Sequence, residues 1–203
     1  MQTNDATGIH IEGHIKIFDP VSNEIYINKR NAIHYENMSI ALASSLANST
    51  TGGFVYQMDF GNGGTAIDPT GIITYLTPNT SGSNASLYNN TYSKIVDPTS
   101  GTNTDPTRNF TEVRHVTGTN YTDVFVTCLL DYGEPSGQSA FDTVNGTNST
   151  YTFDELGLRS YSTTGDSLLL THVIFHPVLK SLNRLVQIDY TVRIQSLTGL
   201  VSV

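Results

Sequence analysis

The stretch QMDFGNGGTAID (residues 57–68) holds three glycines in four positions, a density that lets the backbone approach a ligand or another chain segment closely. It does not match a phosphate-binding loop, because no lysine follows the glycines and a strand pattern, not a helix, comes next. Asp59, Asn62 and Asp68 offer oxygen ligands for calcium, but their spacing fits no EF-hand-like loop. The pattern therefore favours a corner with positive φ angles between two strands, with a calcium site as the weaker alternative.

Two histidine pairs have the residue type that zinc prefers. His10 and His14, with Glu12 between them, share one face of a predicted strand, and His172 and His176 share one face of another. Neither pair has a third ligand in a spacing typical of a zinc site. Histidines on the polar face of a strand are more often exposed or hydrogen-bonded to backbone. We therefore predict no metal site.

Hydrolytic chemistry has weak candidates. The chain lacks the Gly-x-Ser-x-Gly elbow of serine hydrolases. Glycosidases need only two carboxylates, and Glu134, Asp142, Asp154 and Glu155 are available. Any acidic chain offers such pairs, however, and there is no tryptophan to stack on a sugar, although eleven tyrosines leave carbohydrate binding open. We expect no catalytic residue, no cofactor and no enzymatic activity.

Composition narrows the class of protein further. The 203 residues carry a formal net charge of −8 without a basic cluster, so direct binding to a nucleic-acid backbone is not expected. Only 14% of residues are charged, and Asn, Ser, Thr and Gly supply most of the polar surface, which is typical of β-rich secreted, cell-surface or virion proteins. The start, MQTNDATGIHIEG, does not resemble a signal peptide, and no stretch is apolar enough to span a bilayer, so no membrane association is expected.

The single cysteine and the many asparagines carry little chemistry. Cys128 lies in DVFVTCLLDY, which predicts a buried strand in which the thiol acts as a small apolar group, and one cysteine forms no internal disulfide. Nine Asn-x-Ser/Thr sequons occur, among them those of Asn37 and Asn109. Without a signal peptide, richness in these residue types explains the sequons better than glycosylation does. Stability is expected to come from packing, hydrogen bonding and oligomerisation.

The elements that position these residues are mostly strands. GIHIEGHIKIFD alternates apolar and polar residues, with Gly13 as a candidate bulge, and residues 9–29 predict a β-hairpin. The alanine-rich segment at residues 31–48 predicts the one helix, with Asn31 as its N-cap and a wide apolar face. FVYQMDF and GIITYLTPN predict short strands on either side of the glycine stretch.

The second half predicts long strands separated by polar loops. FTEVRHVTG and YTDVFVTCLLDY predict a hairpin, and SLLLTHVIFHPV and LVQIDYTVRIQSL predict two further strands, with residues 185–197 central to the core. Residues 79–108 and 133–151 predict long polar loops, with a short turn or strand in TFDELGLRSY. We therefore expect residues 1–203 to form a single mainly β domain, an antiparallel β-sandwich or barrel-like fold with one helix.

Several of these stretches, taken together, resemble structural proteins of tailed-bacteriophage (myovirus-like) virions, particularly those of the neck, collar or tail. They are GHIKIFDPVSNEIYINKRNAIHYENMSIALASSLAN, MDFGNGGTAIDPTGIITYLTPN, FDELGLRS and LLLTHVIFHPVLKSLNRLVQIDYTVRIQ, which cover about half of the chain. The resemblance implies a virion protein that is made in the bacterial cytoplasm, lacks disulfides and forms a symmetric ring or array with other virion proteins around it. It includes no catalytic motif.

This resemblance and the residue patterns together predict a non-enzymatic, ring-forming neck or collar component at the head-to-tail junction. Residues 79–108 and 133–151 would contact neighbouring subunits, and so would the glycine corner with Asp59 and Asp68. A capsid decoration protein and a receptor- or glycan-binding module of a tail fibre remain as alternatives, and a carboxylate glycosidase is a more distant one.

Overall fold

The computed structural model describes residues 8–49, 52–135, 150–163 and 167–197, with Thr150 described by its backbone alone. These ranges contain one helix, α1 (Tyr35–Leu46), and eleven strands. The strands are β1 (Gly8–Phe18), β2 (Ile25–Ile33), β3 (Val55–Gly61), β4 (Thr65–Ile67), β5 (Ile73–Tyr75), β6 (Asn90–Ile95), β7 (Phe110–His115), β8 (Tyr121–Leu130), β9 (Thr150–Ser160), β10 (Thr171–Ser181) and β11 (Val186–Leu197). No helix in this part of the chain is long and apolar enough to cross a membrane.

Nine strands form one antiparallel sheet in the order β6-β3-β9-β10-β2-β1-β11-β8-β7, and β4 and β5 form a separate two-stranded hairpin. The large sheet curls until it is nearly closed into a barrel, which confirms the predicted mainly β, barrel-like class with one helix. The hydroxyl of Thr111 on the edge strand β7 donates to the carbonyl of Val96, just beyond the other edge strand β6, over 3.1 Å. The two edges therefore approach each other at this point.

The predicted hairpins are confirmed. β1 pairs with β2, and β7 pairs with β8 through the turn that contains Gly118, whose φ is +89°. β11 pairs with β1 on one side and β8 on the other, and Val186, Ile188, Tyr190 and Val192 are buried, so this strand is central to the core as predicted. Strict alternation of apolar and polar residues indicates a strand with one face on the core, because successive side chains point to opposite faces of the sheet.

The helix begins later than the predicted residue 31. Asn31, Ala32 and Ile33 belong to β2, because pairing with β1 and β10 satisfies their backbone. The N-cap is His34, whose Nδ1 accepts the N–H of Asn37 over 3.2 Å. The predicted apolar face is only partly covered, since Ile40 and Leu46 of this helix are 40% and 92% exposed.

Three further predictions are wrong in detail. The predicted loop at 79–108 contains β6, which was missed because Tyr92 is the only large apolar residue in its first four positions. β9, predicted as a short turn or strand, is an eleven-residue strand that lies inside the sheet between β3 and β10. Gly13 is not a bulge: its register with β2 and β11 is regular, and a Cβ there would lie 1.7 Å from the Asn31 side chain. Most of the predicted loop at 133–151 lies outside the described residues.

Candidate functional site

A group of ionisable side chains is buried beneath the glycine stretch. Strand β9 contributes Asp154, Glu155 and Arg159, the adjacent strand β10 contributes His172, and β3 contributes Asp59. The two aspartates, the glutamate and the histidine are each at most 4% exposed. We call these five residues the polar cluster. Buried charges need partners, so their hydrogen bonds show what the cluster does.

Glu155 is the centre of the polar cluster. Its Oε1 accepts backbone N–H groups from Gly63 at 3.1 Å and Asn89 at 2.8 Å, and its Oε2 accepts from the N–H of Tyr88 at 3.0 Å and from Nε2 of His172 at 2.9 Å. Burial by itself would raise the pKa of Glu155, but these four hydrogen bonds outweigh burial and lower it. The carboxylate is therefore held ionised and has no free direction for a ligand.

The other nitrogen of the His172 ring is occupied as well. Nδ1 accepts the backbone N–H of Asn79 over 2.8 Å. Because a backbone N–H only donates, the ring proton is on Nε2, where it is donated to Glu155. The imidazole thus connects the segment after β5 to strand β9, and neither nitrogen is left to bind a metal ion.

Asp154 holds the base of the β4–β5 hairpin. Its Oδ1 accepts the N–H of Gly64 at 2.9 Å, and its Oδ2 accepts the N–H of Thr65 at 2.9 Å and the Thr65 hydroxyl. Burial raises the pKa of Asp154 above its usual range, and the hydrogen bonds from Thr65 and Gly64 offset only part of that rise. A carboxylate that receives three donors from one short segment fixes the direction in which that segment leaves the barrel.

The glycines are needed for close approach, not for positive φ angles as predicted. None of Gly61, Gly63 and Gly64 has a positive φ. A Cβ at Gly61 would lie 2.5 Å from the carbonyl oxygen of Asn89 and 2.5 Å from Oε1 of Glu155, and one at Gly63 would lie 2.8 Å from the Asn89 nitrogen. The stretch is a corner between strands, and its lack of side chains lets the backbone reach the buried carboxylates.

The predicted calcium oxygens do not converge. Asp59 is buried, and its carboxylate pairs with Arg159 and accepts a hydrogen bond from the Gln57 amide. Arg159 also donates to the Ser167 carbonyl and the Ser86 hydroxyl. Asp68 lies in the turn of the β4–β5 hairpin, where its carboxylate accepts from Thr70 and from the N–H of Ile72. The hydrogen bonds to Thr70 and Ile72 lower the pKa of Asp68.

The histidine pairs do not form metal sites either. His10 approaches Glu12 at 4.0 Å on the outer face of β1, while His172 is buried and His176 is exposed with its Nδ1 3.2 Å from the Tyr75 hydroxyl. In the described part of the chain no group of three or more His, Cys, Asp or Glu side chains is arranged to hold a metal ion.

The remaining sequence candidates are engaged inside the fold. Glu134 pairs with Lys94 and accepts from the N–H of Asp131, and Asp142 lies outside the described residues. Cys128 is fully buried, as predicted, and burial raises the pKa of its thiol to about 12. The sequon residues Asn37 and Asn109 are at most 1% exposed, and their amides donate to the carbonyls of Leu169 and Asp105.

A buried lysine was not predicted by the sequence. Lys180 on β10 is fully buried and donates to the carbonyls of Asp131, Glu134 and Ser181 at 2.8–3.0 Å. Burial lowers its pKa to about 8. Its position after the apolar run VIFHPVL was a weak indication of burial, and a lysine that faces the core of a strand needs hydrogen-bond partners. It anchors the turn that follows β8.

The polar cluster thus fixes the chain segment that carries the β4–β5 hairpin. We call this hairpin, residues 65–76, the arm. Its strands are not hydrogen-bonded into the large sheet, and it exposes Ile67 (67%), Ile72 (61%), Tyr75 (53%) and Leu76 (43%). Its base is held by Asp154, by the Tyr75–His176 contact and by a hydrogen bond from the N–H of Leu76 to the carbonyl of Gly64 at 2.9 Å.

An apolar groove lies between helix α1 and the gap between the two sheet edges. Its cavity volume is about 440 Å³. It is lined by residues of α1, of the start of β3 and of strands β7, β8 and β11, chiefly Met38, Leu42, Phe54, Val113, Val124 and Ile194. We call it the α1 groove.

The arrangement is therefore an internally satisfied polar cluster that positions an exposed apolar arm, together with a separate apolar groove. Sequence reasoning identified the glycine stretch and its two carboxylates, Asp59 and Asp68, but not the joint role of Glu155 and His172. Comparison with protein-family models, with curated proteins and with solved structures found no match to the chain.

Proposed function

We propose that the chain is a non-enzymatic structural protein of a tailed-phage virion, a ring-forming neck or collar component at the head-to-tail junction. The observation that carries this proposal is the arm, because four large exposed apolar side chains on one twelve-residue hairpin are a feature of surfaces that bind another protein. Isolated apolar residues on a surface need no explanation, but four on one short hairpin do.

The polar cluster supports a structural role over a catalytic one. A general acid or base needs a direction from which substrate can approach. Glu155 uses both oxygens for four donors, Asp154 uses both for three, and His172 uses both nitrogens. These groups hold the loops around the arm in place, which is what an assembly protein requires of its contact surface.

The resemblance of the sequence to myovirus neck, collar and tail proteins supplies the choice of particle. The low charged fraction, the formal net charge of −8 and the lack of a basic cluster agree with a part that contacts proteins and does not grip DNA. In this proposal the chain associates with further copies of itself in a ring, and other virion proteins bind on either side of that ring.

The test is quantitative mass spectrometry of purified virions, with the copy number measured against the major capsid protein. We expect the chain in a copy number that matches one ring per particle. Copies in proportion to the capsid protein would instead identify a decoration protein. Absence of the chain from virions would refute the proposal, as would a catalytic activity of the pure protein that is lost in Glu155→Gln but not in the equally folded control Glu112→Gln.

A further inference from the structure

Two buried histidines hold the segment that follows the arm, residues 77–86, which we call the return segment. His34 comes directly after β2, His172 lies near the start of β10, and both are fully buried. Nδ1 of His172 accepts the N–H of Asn79 over 2.8 Å, and Nε2 of His34 lies 3.0 Å from the carbonyl oxygen of Gly82. The two imidazoles therefore hold the return segment at two points three residues apart.

The hydrogen-bond partners fix the position of the proton on each ring. In His34, Nδ1 accepts the N–H of Asn37 at the start of α1, so the ring proton is on Nε2 and is donated to Gly82. In His172 the ring proton is likewise on Nε2, and Glu155 accepts it over 2.9 Å. Each ring is therefore neutral, and each uses Nδ1 as an acceptor for a backbone N–H.

A second proton has a different effect on the two rings. On His172 it would place an N–H against the N–H of Asn79, and because two donors form no hydrogen bond, this contact would have to open. A protonated His34 would still donate to Gly82 through Nε2 and would lose only its contact with α1. Only His172 therefore couples protonation to the hold on the return segment.

The surroundings favour a positive charge on His172 over one on His34. The Glu155 carboxylate, 2.9 Å from Nε2 of His172, stabilises an imidazolium. The pKa of Glu155 lies below its ordinary value of 4.5, so the carboxylate is ionised throughout the range in which an ordinary imidazole titrates. His34 caps the N-terminus of α1, where the helix dipole opposes a positive charge, and Glu36 in the first turn of α1 is exposed to solvent.

The other charged side chains on the strands beside His172 have partners of their own: Asp154 and Arg159 on β9, Asp59 on β3, and Lys29 and Arg30 on β2. The ring of Tyr88, which precedes β6, lies 5.8 Å from the ring of His172. Within the described ranges Glu155 is therefore the one carboxylate that pairs with this imidazole.

We propose that His172 is a proton-sensitive latch on the return segment. Near neutral pH the neutral ring holds the backbone of Asn79, and in mild acid the imidazolium releases it. Because the arm runs directly into the return segment, acid loosens the end of the arm that leads back to the barrel. The latch does not depend on the proposed virion role.

Two contacts that do not involve His172 keep the opening local. The N–H of Leu76 donates to the carbonyl of Gly64 at 2.9 Å, and Gly82 accepts from His34 in either protonation state of that ring. Residues 77–81 are therefore released between two ends that stay in place.

The test measures amide hydrogen exchange of the wild-type chain at about pH 7.5 and about pH 5.5, with each rate expressed as a protection factor against the unfolded chain at the same pH. If only the open form takes up a proton, with the ordinary imidazole pKa of about 6.5, the protection factor of Asn79 should fall about tenfold between these two pH values. The amides of Gly64 and Tyr88, which Asp154 and Glu155 hold, should change by less than about twofold.

Two matched substitutions on β10 assign the acid response to one ring. His172→Gln removes the titrating group and should reduce the response of Asn79 to less than about twofold. His176→Gln removes an exposed histidine of the same strand, which contacts Tyr75 of the arm, and should leave the response unchanged.

Nitrogen NMR of the histidine rings provides a measurement that needs no variant. At about pH 7.5, His34 and His172 should each show a single neutral form with the proton on Nε2. As the pH falls, His172 should take up a proton before His34 does.

Each other outcome overturns the latch. A His172 ring that stays neutral at about pH 5.5 refutes it, and so does a ring that takes up a proton while Asn79 keeps its protection. Equal loss of protection at Tyr88 would show that the whole polar cluster opens, and a response that persists in His172→Gln would place the sensor at another group. None of these results depends on whether virions contain the chain, so the latch and the proposed function fail separately.

Discussion

Replacing Glu155 with glutamine tests whether the polar cluster is structural. The carboxylate accepts from Gly63, Asn89, Tyr88 and His172, all at 2.8–3.1 Å, and is fully buried. Glutamine keeps one acceptor oxygen and presents an NH₂ group to the two remaining donors. A buried donor left without an acceptor costs roughly 1–3 kcal/mol, so two such donors predict a loss of about 2–6 kcal/mol in the free energy of unfolding.

The measurement is urea unfolding of wild type and Glu155→Gln, followed by circular dichroism. The matched control is Glu112→Gln on β7, an exposed carboxylate paired with Arg114, where we expect a change within about 0.5 kcal/mol. Amide hydrogen exchange should also accelerate at Tyr88 and Asn89 in Glu155→Gln, because their N–H groups lose their acceptor. A loss below about 1 kcal/mol, with unchanged exchange at these amides, would show that the four hydrogen bonds do not hold the loop.

The pH dependence gives a second measure of the same interaction. The pKa of Glu155 is lowered in the folded protein, so the unfolded chain binds its proton first as pH falls. The stability that this group contributes is therefore present above its ordinary pKa of 4.5 and is lost as pH falls through the folded value. The difference in stability between wild type and Glu155→Gln should shrink below pH 4.5, whereas a difference that stays constant down to the acid transition would contradict this assignment.

Three further predictions concern other buried groups. The pKa of Lys180 is lowered from 10.5 to about 8 in the folded protein, so the unfolded chain binds more protons between these two pH values. The free energy of unfolding of wild type, measured in urea, should therefore rise by up to about 3 kcal/mol relative to that of Lys180→Met as pH rises from 8 to 10.5. A difference between the two proteins that does not change with pH would disprove the lowered pKa. Cys128 should react with an aromatic disulfide reagent only after unfolding in urea, because the thiol is buried and its pKa is raised to about 12. Labelling of the native protein at the same rate as the unfolded protein would disprove this burial. Gly61→Ala should lower the free energy of unfolding by about 2–4 kcal/mol, because its Cβ would meet the Asn89 carbonyl at 2.5 Å. The control Gly101→Ala, whose Cβ would have no atom within 4 Å, should change it by no more than about 0.5 kcal/mol when both variants are compared by thermal unfolding. Equal effects of the two substitutions would exclude close packing as the role of Gly61.

The function of the chain, as proposed, depends on the arm more than on the cluster. The polar cluster uses buried charge to hold the base of the arm, and the arm in turn presents Ile67 and Ile72 to solvent. A buried network of this kind favours one arrangement because each unsatisfied member would be costly. We therefore expect Glu155→Gln to weaken self-association as well as folding, through the position of the arm.

Local patterns were sufficient for the strands whose two faces differ. The alternation in β1 and β11, the turn at Gly118 and the apolar setting of Cys128 all predicted what the structure contains, because burial of one face of a strand is recorded in every second residue. The same patterns failed for β6 and for the start of α1. Polar residues on β6 are covered by neighbours, as the pairing of Lys94 with Glu134 shows, and strand pairing of Asn31 outweighed its helix-capping preference.

The composition and the period-2 patterns of the sequence by themselves determined the mainly β class, the hairpins and the central position of β11. Only the tertiary structure decided the strand order, which places β9 between β3 and β10 and so brings Glu155 to Gly63, 92 residues away, and to His172 on the next strand. The physical reason is that no repeating pattern in the sequence relates a carboxylate, a glycine and a histidine that come into contact only in the folded chain. Their contact arises because a buried charge is stable only where distant strands supply its hydrogen-bond partners.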